Sequence, residues 1–130
     1  MPKFVTIGYG DRAGYDRIAP DIRDAAHAAD ENLKQNGAIV GVAGMPVQVR
    51  NPDAKGVQTK MSAFMFSPLP IAGFYIIEAE DIAAAVDIVA RTPCAVAHGV
   101  VEVWPHWRTD DSARSPAARQ HQIADIPHLA

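Results

Sequence analysis

The sequence predicts an α+β fold, an antiparallel sheet carrying two helices on one face. Three observations carry that expectation. Between Gly73 and Pro105 a β-rich run, an alanine-rich amphipathic segment and a second β-rich run follow one another with almost no slack. Near the start of the chain, Phe4 to Tyr9 and a helix pattern from Pro20 to Gln35 repeat the order strand then helix. Between these halves, Asn51-Pro-Asp-Ala-Lys-Gly56 separates two runs that alternate well enough to pair as a hairpin. The resulting order, β-α-β-β-β-α-β, has the split βαβ or ferredoxin-like arrangement as its minimal form. Such a sheet leaves its second face bare.

Each element has a local reason. Pro20 sits where proline is tolerated, in the first helical turn, and Ile22, Ala26, Ala29 and Leu33 share one face. Asn36-Gly37 supplies the left-handed stop. Ala38 to Ala43 reads as the second strand, with Met45 to Arg50 continuing it after a kink at Gly44-Met-Pro46. Val57 to Phe66 reads as the strand that pairs back, its Met61, Phe64, Met65 and Phe66 assigned to the core and a dimer interface. Asp81 offers an N-cap oxygen to a helix with Ile82, Val86 and Val89 on one stripe, closed by Thr92-Pro93. After a small-residue loop, Val100 to Pro105 is the last strand.

Composition fits one globular domain of 130 residues, 48% hydrophobic and 21% charged. The net charge of -3 and the scattered basic residues give no footprint for nucleic acid. No run approaches the ~20 apolar residues that span a bilayer, and no leader is readable before Phe4. The single cysteine, Cys94, excludes an internal disulfide and fits a reducing cytoplasm. Beyond Pro105 the composition turns polar. Residues 1–106 therefore form the expected domain, and 107–130 a tail that is either disordered or a short helix or arm lying on a partner subunit.

Three local matches resemble the YCII-related family, which includes proteins named for a DGPF motif. Tyr9-Gly10-Asp11 ends the first strand ahead of the helix start Pro20-Asp21; Asn36-Gly37 leads to a Gly44-containing turn; and Gly73-Phe-Tyr-Ile-Ile-Glu78, the alanine-rich helix, Pro93 and Gly99-Val-Val-Glu-Val-Trp-Pro105 resemble the family's closing strand, helix and strand. The resemblance covers about residues 3 to 106. It implies a ferredoxin-like subunit paired into a dimeric α+β barrel. In that family most members have no assigned activity, a few relatives act as lyases on chlorinated aromatic rings, and one branch carries a proposed His and Asp pair. Here His27 lies about one residue out of register with that histidine, the branch's Asp-Pro is Thr92-Pro93, and the Asp-Gly-Pro-Phe segment is absent. The dyad does not carry over.

Strand periodicity places His98, Val100, Glu102 and Trp104 on one face of the last strand and Val101 and Val103 on the other. The valines are expected to meet the helices, and His98, Glu102 and Trp104 the bare face, where a dimer would roof over a pocket. Along one strand His98 and Glu102 stand about 13 Å apart, too far for a hydrogen bond, so a partner must come from a neighbouring strand or another subunit. Glu102 is read either as an interface carboxylate paired with an arginine or as a group for acid–base chemistry. His98 reads as a loop residue or a base, and Trp104 as interface packing or a substrate platform. His27 falls on the solvated side of its helix. Tyr9, Asp11 and Arg12 sit where the first strand opens into a loop, a common place for substrate contacts, although turn chemistry explains Asp11 equally well.

Gly8, Gly10 and Gly14 do not match a phosphate loop, since the spacing is wrong and no helix is expected to begin there. The histidines lack metal-ligand spacing, and Cys94 reads as a small loop residue. Neither metal nor other cofactor is expected. Two functions remain: a homodimer binding a small organic or aromatic molecule with acid–base chemistry by His98, Glu102 or His27, with Tyr9, Asp11 and Trp104 in contact, or a non-catalytic dimerisation module.

Overall fold

The computed structural model describes residues 1–106; the expected tail, 107–130, lies outside the described residues. Strand β1 (Lys3–Tyr9) is followed by helices α1 (Arg12–Arg17) and α2 (Pro20–Gln35) and by strand β2 (Ile39–Val42). A short hairpin, β3 (Gln48–Arg50) and β4 (Gln58–Lys60), comes next, then β5 (Ile71–Glu78), α3 (Ile82–Val89), α4 (Pro93–Val96) and β6 (Val100–Pro105). The main sheet runs β2-β5-β1-β6 with every pair antiparallel. That order is compatible with the ferredoxin-like arrangement.

Residues opposite one another across an antiparallel pair share a face. Phe4, Tyr75 and Ile77 point inward and are buried with Ala79, Ala85 and Val89 of the following turn and α3. Leu33 of α2, Ile82 and Ile88 of α3, and Val101 and Val103 of β6 pack on the same cluster, so both long helices cover one face and the valines of β6 meet them. Thr6 and Thr92 are fully buried within this layer, and each hydroxyl has an outlet: Thr6 donates to the Tyr75 carbonyl at 3.5 Å, and Thr92 to the Val89 carbonyl at 2.6 Å.

Caps set the helix ends. The Asp81 carboxylate accepts from the Ala84 amide at 2.8 Å, and Gly37 takes φ +95° just after α2, a conformation a side chain would strain. Gly8 serves a different need. A Cβ there would stand 2.9 Å from Cys94 Sγ, so its bare backbone lets α4 settle onto β1.

Four expectations are corrected. The loop after β1 contains a helix, because Asp11 caps it by accepting from the Gly14 amide at 2.8 Å. The small-residue loop before β6 also contains one, opened by Pro93 at its first position. Met45 to Arg50 does not continue β2: the chain leaves the sheet after Ala43, and β3 pairs only with β4 in a separate two-stranded sheet. The strand expected over Val57 to Phe66 shrinks to Gln58–Lys60, since Gln48 turns the chain at Ser62 through hydrogen bonds of 3.0 and 2.8 Å. Met61, Phe64, Met65 and Phe66 are consequently exposed, not core.

Candidate functional site

The uncovered face of the main sheet is built by alternation. Val5, Ile7 and Tyr9 of β1 stand opposite Trp104, Glu102 and Val100 of β6, while Ile76 and Phe74 of β5 stand opposite Val5 and Ile7 and bring Ile39 of β2 to the same side. This surface is apolar except at three points. Lys3 and Glu78 face one another at its far end, and Glu102 lies between Val100 and Trp104.

Glu102 has a partner on the neighbouring strand. Tyr9 reaches diagonally across the ladder and donates its hydroxyl to Glu102 Oε1 at 2.5 Å. Charge-assisted O–H···O⁻ bonds are short and stronger than neutral ones. The hydrogen bond to Glu102, then burial, then the carboxylate's charge push the Tyr9 phenol above its ordinary 10.0, so it remains a donor at neutral pH. Its proton occupies one carboxylate oxygen. The second oxygen of Glu102 and the lone pairs of the phenol are free by this geometry to receive a hydroxyl or amine proton from a small molecule. Phe74 and Trp104 supply aromatic surface on the same face.

Of the other candidates, Trp104 shares this face, and His98, His27 and Asp11 fall elsewhere. His98 takes φ 62° two residues before β6 begins, which agrees with its reading as a loop residue and corrects the expectation that it shares the strand face of Glu102. His27 lies on α2, across the sheet from Glu102, and its Nε2 is 2.8 Å from the Tyr15 hydroxyl. That pair, with Arg12 and Arg23 over the Tyr15 ring at 5.8 and 5.1 Å, fastens α1 to α2. The Asp11 carboxylate is committed to the Gly14 amide. Trp104 stands on the bare face as expected and is half exposed.

One polar group was not anticipated. Asp30 accepts a hydrogen bond from the Tyr75 hydroxyl beneath α2, close to Thr92 and Cys94. Burial first, and then Asp30, push both the Tyr75 phenol and the Cys94 thiol up, which leaves them protonated and inert at neutral pH. A signal was present in the sequence. Asp30 is four residues after Ala26 and three before Leu33, a carboxylate on the helix stripe that faces the core.

Among the described residues, no three His, Cys, Asp or Glu side chains gather as a metal cluster, and no helix is long and apolar enough to cross a membrane. Comparison with protein-family models and with curated proteins finds no match to this chain.

Proposed function

We propose that this chain is a YCII-related, ferredoxin-like subunit whose uncovered sheet face, roofed by a second copy into a dimeric α+β barrel, binds a small organic molecule through Tyr9 and Glu102. The observation that carries this reading is the Tyr9–Glu102 hydrogen bond on a face that is apolar around it, with Lys3 and Glu78 at the far end. Pockets for small molecules combine apolar walls with a few polar groups that fix orientation. Glu102 then acts as the proton acceptor toward the ligand, and Tyr9 holds that carboxylate in place. Phenols and aromatic amines suit the chemistry, since a ring finds Phe74 and Trp104 while a hydroxyl or ammonium proton finds Glu102. The free thiol of Cys94 supports a reducing compartment such as the cytoplasm.

Thermal unfolding against a panel of phenols, aromatic amines, aromatic acids and keto acids tests this, with Tyr9→Phe and Glu102→Gln beside the parent. A ligand at about 100 times its Kd adds roughly 2.7 kcal/mol, which for a domain of this size raises Tm by several degrees. The shift is expected to shrink in both variants. A panel that moves nothing, or a shift indifferent to both substitutions, favours the second reading, a non-catalytic assembly module. The breadth of exposed apolar surface on this face and on residues 44–70 is what speaks for that module.

A further inference from the structure

Residues 44–70 form an arm with no core of its own. Only Gln48, Ser62 and Leu69 in it are even partly buried, and Phe66 is 94% exposed. The arm's regular structure is two strands of three residues joined through a single 3-10 turn, Pro52–Ala54, and an isolated two-stranded hairpin is at best marginally stable in water. Yet it carries Val47, Val49, Met61, Phe64, Met65 and Phe66, all solvent-facing. So large an apolar surface marks an interaction site.

Charge points to the occupant. The arm holds Arg50, Lys55 and Lys60 against Asp53 alone, whereas residues 1–43 and 71–106 hold eleven Asp and Glu against six Lys and Arg. Arg50 lies at the hairpin's turning end, its guanidinium 5.8 Å from the centre of the Phe64 ring. A cationic, apolar arm thus complements the anionic body of the same chain, whose uncovered sheet face is apolar around Glu102, with Lys3 and Glu78 facing one another at its far end. The arm leaves the sheet after Ala43 and returns at Ile71, at the end where Tyr9 and Val100 stand.

We propose that the 44–70 arm clasps a second copy of this chain, its apolar side chains lying on the partner's uncovered sheet face and Arg50 approaching Glu102 of the partner subunit. In a two-fold pair each arm covers the other's face. The ligand site is then incomplete in one chain, because the partner's arm supplies its lid and its cation. This rests on the reading of a second copy over the uncovered face and adds what does the covering.

The test uses the full chain. Sedimentation equilibrium is compared for the parent, for Phe64→Asp with Phe66→Asp, for Arg50→Glu, and for Arg50→Glu with Glu102→Arg; far-UV circular dichroism checks folding. The aspartate pair and Arg50→Glu are each expected to weaken the dimer about tenfold or more, and the charge exchange to restore it. In parallel, Phe66→p-benzoylphenylalanine in light chain is irradiated with heavy-isotope-labelled chain. Cross-links to heavy peptides containing 71–77 or 100–106 are expected. A monomeric parent, cross-links confined to one chain or to 107–130, or a dimer indifferent to the arm substitutions overturns the clasp. In each case a ligand shift that still depends on Tyr9 and Glu102 leaves the site itself standing, while a lost shift with heavy-chain cross-links retained removes the site and keeps the clasp.

Discussion

Two tyrosine–carboxylate pairs lie on opposite faces of one sheet, and their surroundings give them different work. Tyr9 and Glu102 are partly buried on the uncovered face, where a ligand can reach them. Tyr75 is buried beneath α2, and its hydrogen bond to part-buried Asp30 satisfies a hydroxyl that water no longer serves. The buried phenol is pushed up in the folded state, by burial first and by Asp30 second. Its stability contribution is complete below the ordinary 10.0 and is lost as pH rises from there, because the unfolded chain ionises first. Tyr75→Phe is therefore expected to cost about 1–3 kcal/mol at neutral pH by removing its hydrogen bond to a charged acceptor and to flatten the loss of stability above pH 10. Urea unfolding on either side of that pH measures both. Residual slopes of the same sign remain in the variant from Cys94, whose thiol is pushed up from 9.0, and from Tyr9, whose phenol is pushed up from 10.0.

Among the elements, α3 shows how little a short helix owns by itself. Helices of its length are unstable in isolation, so its cap and its packing decide its place. Asp81→Ala removes the bond to the Ala84 amide and is expected to cost ~1 kcal/mol, lowering Tm by roughly 4–8 °C; Asp81→Asn, which keeps an acceptor, is expected to lose little. Differential scanning calorimetry separates the two. The α3 cap was legible because its signal is local: Asp81 stands immediately before an apolar stripe. The α1 cap was not, since Asp11 among glycines fits a turn as well as a helix start, and the outcome depended on Ile18 being buried and Arg23 donating to its carbonyl at 3.2 and 3.1 Å.

Across the whole molecule, apolar residues divide between a buried layer and an exposed arm, and substitution should separate them. Ile77→Ala empties a fully packed site and is expected to cost 2–5 kcal/mol, on the order seen for such truncations. Phe66→Ala touches no core contact and should leave unfolding at low protein concentration within about 0.5 kcal/mol. Urea denaturation of each, followed across protein concentration, tests the division. An arm that contributed to the subunit's own core would give the second variant a loss comparable with the first.

By itself the sequence determined the elements whose causes are near neighbours: the β6 boundaries, the α3 cap, the Gly37 stop, and the face of β6 that carries Glu102 and Trp104; of the expected α3 stripe, Ile82 and Val89 reach the core, but Ala85 and Ile88 join them there in place of Val86. Periodicity and capping act over a few residues, so they can be read without knowing the fold. Only the tertiary structure decided that Glu102 meets Tyr9, 93 positions away, that Asp30 meets Tyr75, that His98 falls in a left-handed loop, and that Phe64 and Phe66 stand outside the core. Alternation tells which face a side chain takes; the register of distant strands tells which neighbour it finds there, and register is fixed only when the whole sheet closes on one buried face.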